Sequence, residues 1–148
     1  MERSIASSES IYWRHLTFDL FHTGHVELLE YCRWLAGEKG HVTVSLNSDH
    51  FVKEFKGKPP VMNYDERKDV LEACQYVDEV VLNIGGKDSK PAIIAVNPDV
   101  IVIGMDWLDK NYCEQMGFTT DWLNEHEITL AYVPRTRGVS TTRIKERI

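Results

Sequence analysis

Apolar positions along the chain change period repeatedly, and each change marks the edge of an expected element. Residues 11–16 predict a first strand, although Arg14 and His15 make it less apolar than a central strand should be. Residues 24–36 carry Val26, Leu29, Cys32 and Ala36 at helical spacing, and Gly37 and Gly40 bracket the end of that helix. Residues 41–46 alternate and are β-branched, the pattern of a strand. Residues 47–63 read as a polar loop with Lys53, Lys56, Lys58 and a Pro59-Pro60 break. A helix over 64–74, a strand over 79–82, a turn at Gly85-Gly86-Lys87-Asp88 and a short helix over 90–96 ahead of Pro98 follow. The all-apolar run 100–103 is the kind of strand that a parallel sheet buries on both faces. Residues 109–125 read as helical in part, interrupted near Gly117; 128–133 form a last strand and 140–148 a terminal helix.

Strands alternating with helices predict an α/β fold built on an open parallel sheet of about five strands. The expected form is Rossmann-like and doubly wound, with strand order 3-2-1-4-5. With 148 residues the chain reads as one domain over 11–148 behind a polar, serine-rich tail over 1–10. At 43% hydrophobic residues it can bury a core without staples. The three cysteines, Cys32, Cys74 and Cys113, form no CxxC, so reduced thiols and a cytoplasmic setting are expected. The tail lacks the apolar centre of a signal peptide, and no apolar run reaches the length of a membrane span. A net charge of −6 argues against bulk nucleic-acid binding but leaves room for a small anionic ligand at a local cationic cluster.

Two polar clusters supply such a site. His22-Thr-Gly-His25 sets two histidines three apart around a glycine, just where a strand should turn into a helix. Backbone N–H groups and two imidazoles at a helix N-terminus are suited to phosphate. Arg135-Thr-Arg-Gly-Val-Ser-Thr-Thr142 has the same character near the other end of the chain. In an open parallel sheet, ligands sit at the carboxyl ends of the strands where strand order reverses. The segments ending the first, fourth and last strands, at Asp19, Asp106 and Arg135, would all fall at that edge.

The stretch from Thr17 to His25 resembles the HxGH signature of the nucleotidyltransferase superfamily, and the stretch from Arg135 to Thr142 resembles its second signature. Asn47-Ser48-Asp49, Lys56-Gly57-Lys58, Asp65-Glu66-Arg67-Lys68, Val77-Asp78-Glu79-Val80 and Gly104-Met105-Asp106-Trp107 match between them. The pattern is most similar to the glycerol-3-phosphate cytidylyltransferases, with ethanolamine-phosphate and heptose-phosphate nucleotidyltransferases as near neighbours. The resemblance implies CMP transfer from CTP to a small phosphorylated alcohol or phosphonate, with pyrophosphate released. It implies catalytic roles for His22, His25, Lys58, Arg135 and Ser140. Nucleotide contacts would come from Thr17, Phe18, Asp19, Gly24, Lys56, Asp106, Thr136, Val139 and Thr141, and acceptor contacts from Arg67. Mg²⁺ would arrive with the triphosphate, with no metal site built by the protein, and the family's habit implies a homodimer.

Three positions depart from the family pattern. Leu16 stands where glycine is usual, Met105 replaces an acidic residue, and Arg137 adds positive charge. CTP and ATP stay open as donors, so an adenylyltransferase acting on a sugar phosphate or FMN is the alternative, and a non-catalytic nucleotide-binding module a third.

Overall fold

A computed structural model describes residues 10–14, 19–104, 116–134 and 141–148, with residues 10–14 and 141–142 described by backbone alone. The elements run β1 (Ser10–Arg14), α1 (Thr23–Ala36), β2 (His41–Leu46), α2 (Asp49–Lys56), α3 (Tyr64–Glu72), β3 (Glu79–Leu82), α4 (Lys90–Val96), β4 (Val100–Gly104), α5 (Thr120–Glu125), β5 (Thr129–Val133) and α6 (Thr141–Glu146). All strand pairs are parallel, and the five strands lie in the order β3-β2-β1-β4-β5. Every strand therefore points its carboxyl end to the same edge, and the order reverses between β1 and β4.

Local sequence explains most boundaries. Gly37 closes α1 with φ +74, a conformation open to glycine at little cost. Asn97 closes α4 in the left-handed region at φ 53, and Pro98 follows. Gly117, at φ +81, stands in the break ahead of α5. The segment 47–63, read as a polar loop, instead contains α2. Ser48 caps it by accepting the Phe51 N–H at 3.1 Å, Asp49 opens its first turn, and Gly57 ends it at φ +82. Only Val52 of α2 is buried, so the charged residues mask its helical period.

Residues on neighbouring strands divide between two faces. Val44 pairs with Val80 and Ser45 with Val81. Val80 lies in a cleft with Lys68 and Glu72 of α3. Val81 and Thr43 line a groove with Ala92 and Val96 of α4. Because successive strand residues face opposite ways, α3 and α4 cover opposite faces of the sheet. The core between these layers includes Leu29 and Cys32 of α1, Val42, Val44 and Leu46 of β2, Leu71 of α3, and Ile101, Val102 and Ile103 of β4. Each such aliphatic side chain contributes about 1.5–3 kcal/mol by leaving water. Burial pushes the Cys32 thiol up to about 12, so it stays protonated and inert.

The amino end of the sheet is fastened by one side-chain clasp. Arg33, in the last turn of α1, donates to the carbonyls of Gly37, Gly40 and Tyr76 and pairs with Asp78. Asp78 Oδ2 also accepts the Val42 N–H at 2.7 Å, and the Asp78 N–H donates to Val42 O. Burial pushes the Asp78 carboxyl up, but the Val42 N–H and the Arg33 guanidinium outweigh it and hold the group below its usual value. The matching motif residues 77–80 thus act at the edge opposite the candidate site. Replacing Asp78 by alanine should cost about 1–2 kcal/mol in urea unfolding, allowing for its partial exposure. A lowered carboxyl stabilises the fold above its unfolded value and loses that contribution as pH falls through the folded one. The deficit of Asp78→Ala should therefore be full near neutrality and shrink in acid; a deficit independent of pH would contradict the clasp.

Candidate active site at the carboxyl edge of the sheet

The turn that leads from β1 to α1 orients two imidazoles through the backbone. Leu20 occupies the left-handed region at φ 49, which costs a non-glycine residue about 1 kcal/mol and is held by its surroundings. His22 is the N-cap of α1, and its Nδ1 accepts the Gly24 N–H at 3.0 Å. His25 Nδ1 accepts the His22 N–H at 3.2 Å in return. This is a capping box made of two histidines in place of the usual serine and glutamate. With both Nδ1 atoms accepting, each neutral ring carries its proton on Nε2, an assignment that follows from the bonding pattern. The rings stack with centroids 3.8 Å apart, and Phe21 stacks on His25 at 5.4 Å. His25 is buried and His22 half-buried.

Asp19 ties this turn to distant parts of the chain. It is 3% exposed, and its two oxygens accept the Val61 N–H at 2.7 Å and the Met62 N–H at 2.8 Å. Lys145 Nζ of α6 lies 3.5 Å from Asp19 Oδ2. Asp19, expected to touch nucleotide, is in this structure the anchor of the segment between α2 and α3.

Arg67, for which an acceptor contact is expected, has a fully buried guanidinium. Its Nη2 donates to Asp49 Oδ1 at 2.7 Å, its Nε to Met62 O at 3.0 Å, and it lies over the Tyr64 ring at 5.8 Å. Asp49 Oδ2 accepts the Tyr64 N–H at 3.1 Å. Arg67 therefore bolts α3 to the start of α2.

Cations gather around the anchor. Lys56 is the last residue of α2 rather than a loop residue, and Lys58 follows the Gly57 cap. Partial burial, and then the like charge of Lys145, hold the Lys56 ammonium below the usual lysine value; Asp19 pulls the other way, and Arg67 and Lys58 push it further down. Crowded ammonium groups disfavour one another and favour an incoming polyanion. Lys145 was missed in the sequence. The available signal was its position four residues after Thr141, on the same side of α6. Thr141 opens that helix. Thr17, Phe18, Asp106, Arg135, Thr136, Val139 and Ser140 lie outside the described residues, as do the departures Leu16, Met105 and Arg137. Gly24 is placed at the second helical position of α1, where its N–H completes the histidine cap.

The described residues contain no cluster of three or more His, Cys, Asp and Glu side chains able to hold a metal ion. Asp19, three residues before His22, accepts two backbone amides. No helix among the described residues is long and apolar enough to cross a membrane.

The chain is similar to several known proteins. Glycerol-3-phosphate cytidylyltransferase of Bacillus subtilis (strain 168) is 39% identical over 132 residues, covering 89% of this chain and 92% of that protein. FAD synthase of Pyrococcus horikoshii is 35% identical over 133 residues, covering 88% and 86%. A lipopolysaccharide core biosynthesis protein from Thermoplasma volcanium GSS1 shares the fold at a TM-score of 0.65 and 24% identity, over 86% of this chain and 96% of that one. Residues 17–147 match the family model described as Cytidylyltransferase-like, and the chain belongs to that family of nucleotidyltransferases.

Proposed function

We propose that the chain transfers CMP from CTP to the phosphate of a small phosphorylated alcohol, or to a related phosphonate, and releases pyrophosphate. The observation that carries this reading is the histidine capping box, which makes both imidazoles Nε2–H donors at a helix N-terminus. An oxygen of the acceptor phosphate attacks the α-phosphorus; the bond from that phosphorus to the bridging oxygen breaks, and the electron pair leaves with pyrophosphate. An ionised phosphate needs no general base, so the protein positions the reactants and stabilises charge.

In this reading His22 and His25 donate to the oxygens on which charge grows. Lys56, Lys58 and Lys145 neutralise the triphosphate, joined by Arg135. Ser140 and Thr141 present the amino end of α6 to the leaving phosphates, and Thr17, Phe18, Asp106, Thr136 and Val139 complete the nucleotide pocket. Mg²⁺ supplied with the nucleotide would offset charge on the triphosphate. Asp19 and Arg67 hold the segment after α2, which carries Lys58, beside the lysines of α2 and α6. The protein would act as a homodimer in the cytoplasm.

The FAD synthase relative supports one second reading, AMP transfer from ATP to FMN, through the same site. Pyrophosphate release should separate the two when the protein is given Mg²⁺, each of the four nucleoside triphosphates, and glycerol 3-phosphate or FMN. CTP with glycerol 3-phosphate should react; release only with ATP and FMN would replace the first reading by the second.

His25→Ala should lower kcat/KM by roughly 10²–10³-fold, the scale of one lost transition-state donor. It should cost only about 1 kcal/mol in unfolding, the scale of one lost cap. A rate that fell no more than stability explains would remove His25 from catalysis.

Lys56 supplies a pH test. Its ammonium, held below the usual lysine value, is needed to bind the triphosphate; CTP affinity should be full below that lowered pKa and fall as pH rises through it. Lys56→Arg, charged throughout, should move the fall to higher pH. Titration calorimetry across the alkaline range would show this, and an unmoved limb would count against Lys56 as a ligand.

A further inference from the structure

Asn47 follows β2 and Asn83 follows β3, at the edge of the sheet that carries the candidate site. Strand pairing brings them side by side: the Asn83 N–H donates to Leu46 O at 2.9 Å. Asn83 Nδ2 donates to Asn47 Oδ1 at 2.9 Å and to Gly86 O at 3.0 Å. Both partners are carbonyl oxygens, which settles which end of the amide is nitrogen. Its oxygen is left over: Asn83 Oδ1 is buried without a hydrogen-bond partner. Two facing amides can exchange two bonds, yet the return bond from Asn47 Nδ2 to Asn83 Oδ1 is not made.

The turn that follows Asn83 is tightly built. A Cβ on Gly85 would lie 1.9 Å from Asp88 O, and Gly86 holds φ +57 with the Phe51 ring 3.4 Å from where its own Cβ would be. Asn83 is 6% exposed, so its unpaired oxygen is a feature of an enclosed site rather than of open surface. Such buried acceptors call for a donor.

The chemistry of the gap selects its occupant. Asn83 Oδ1 requires a donor, and Asn47 Nδ2 offers one. An ionised phosphate oxygen only accepts and cannot satisfy Asn83. A hydroxyl both donates and accepts, and matches the two atoms together. The position suits the second substrate. It lies at the same edge of the sheet as the histidine turn, on the β2 and β3 side of the crevice between β1 and β4.

We propose that Asn47 and Asn83 are specificity-determining residues that recognise a hydroxyl of the acceptor alcohol, Asn47 by donating to it and Asn83 by accepting from it. The proposal rests on the CMP-transfer reading above. It is tested with CTP, Mg²⁺ and two acceptors, glycerol 3-phosphate and n-propyl phosphate, which share a three-carbon chain and differ in the hydroxyls. The native protein should favour glycerol 3-phosphate by at least roughly tenfold in kcat/KM, because an unmet buried polar group penalises the analogue. In Asn47→Ala that ratio should collapse toward unity, through a higher KM for glycerol 3-phosphate with the KM for CTP little moved. Asn47→Ser keeps an acceptor for Asn83 Nδ2 and serves as the variant that spares the fold. A purely structural pair would lower the melting temperature and turnover of both acceptors while leaving the ratio intact, and that result would overturn the proposal. Equal use of both acceptors by the native protein would also overturn it, alone. Turnover of neither would overturn it together with the reading on which it rests.

Discussion

Much of the candidate site hangs on the buried carboxylate of Asp19. A charge with 3% exposure is tolerable only when its oxygens are bonded, and the bonds come from far along the chain: the amides of Val61 and Met62, with the Lys145 ammonium nearby. These contacts draw the segment after α2 onto the end of β1. The draw gathers Lys56, Lys58 and Lys145 around Asp19. Arg67 works in the same direction from below, joining Met62, Asp49 and Tyr64. The cations meet at one place because an anion inside the protein had to be satisfied.

The two edges of the sheet divide stability from chemistry, and α1 links them. Its amino end is the histidine cap at the site; its last turn supplies Arg33 to the Asp78 clasp. A 14-residue helix spans about 20 Å, so the two groups act on separate parts of the molecule. Histidine as a capping residue joins the two ends of that argument. The bond that terminates the helix also fixes the imidazole tautomer, so a folding device prepares a hydrogen-bond donor.

Legibility in the sequence followed the reach of each signal. Strand β2 stood out because its β-branched residues alternate, β4 because its apolar residues are contiguous, and α4 because its run stops ahead of Pro98. The helix α2 was hidden: among DHFVKEFK only Val52 is buried, so charge outweighed periodicity in the reading. The partner of Arg67 was hidden for a different reason: nothing local shows that Asp49, eighteen residues earlier, will take its guanidinium. Asn83 carried no signal at all, since its significance lies in one oxygen left unmatched across a strand pair.

What the amino-acid order determined by itself is the succession of strands and helices and the two imidazoles at the start of α1. Periodicity, caps and left-handed glycines act over a few residues, so they can be read there. Only the tertiary structure decided the roles of the charged groups. Asp19 became an anchor, Arg67 a buried bolt, and Lys145 a member of the cationic cluster. Whether a charge faces solvent, a backbone amide or another charge depends on which distant segment packs against it, and electrostatic cost in the interior settles the pairing.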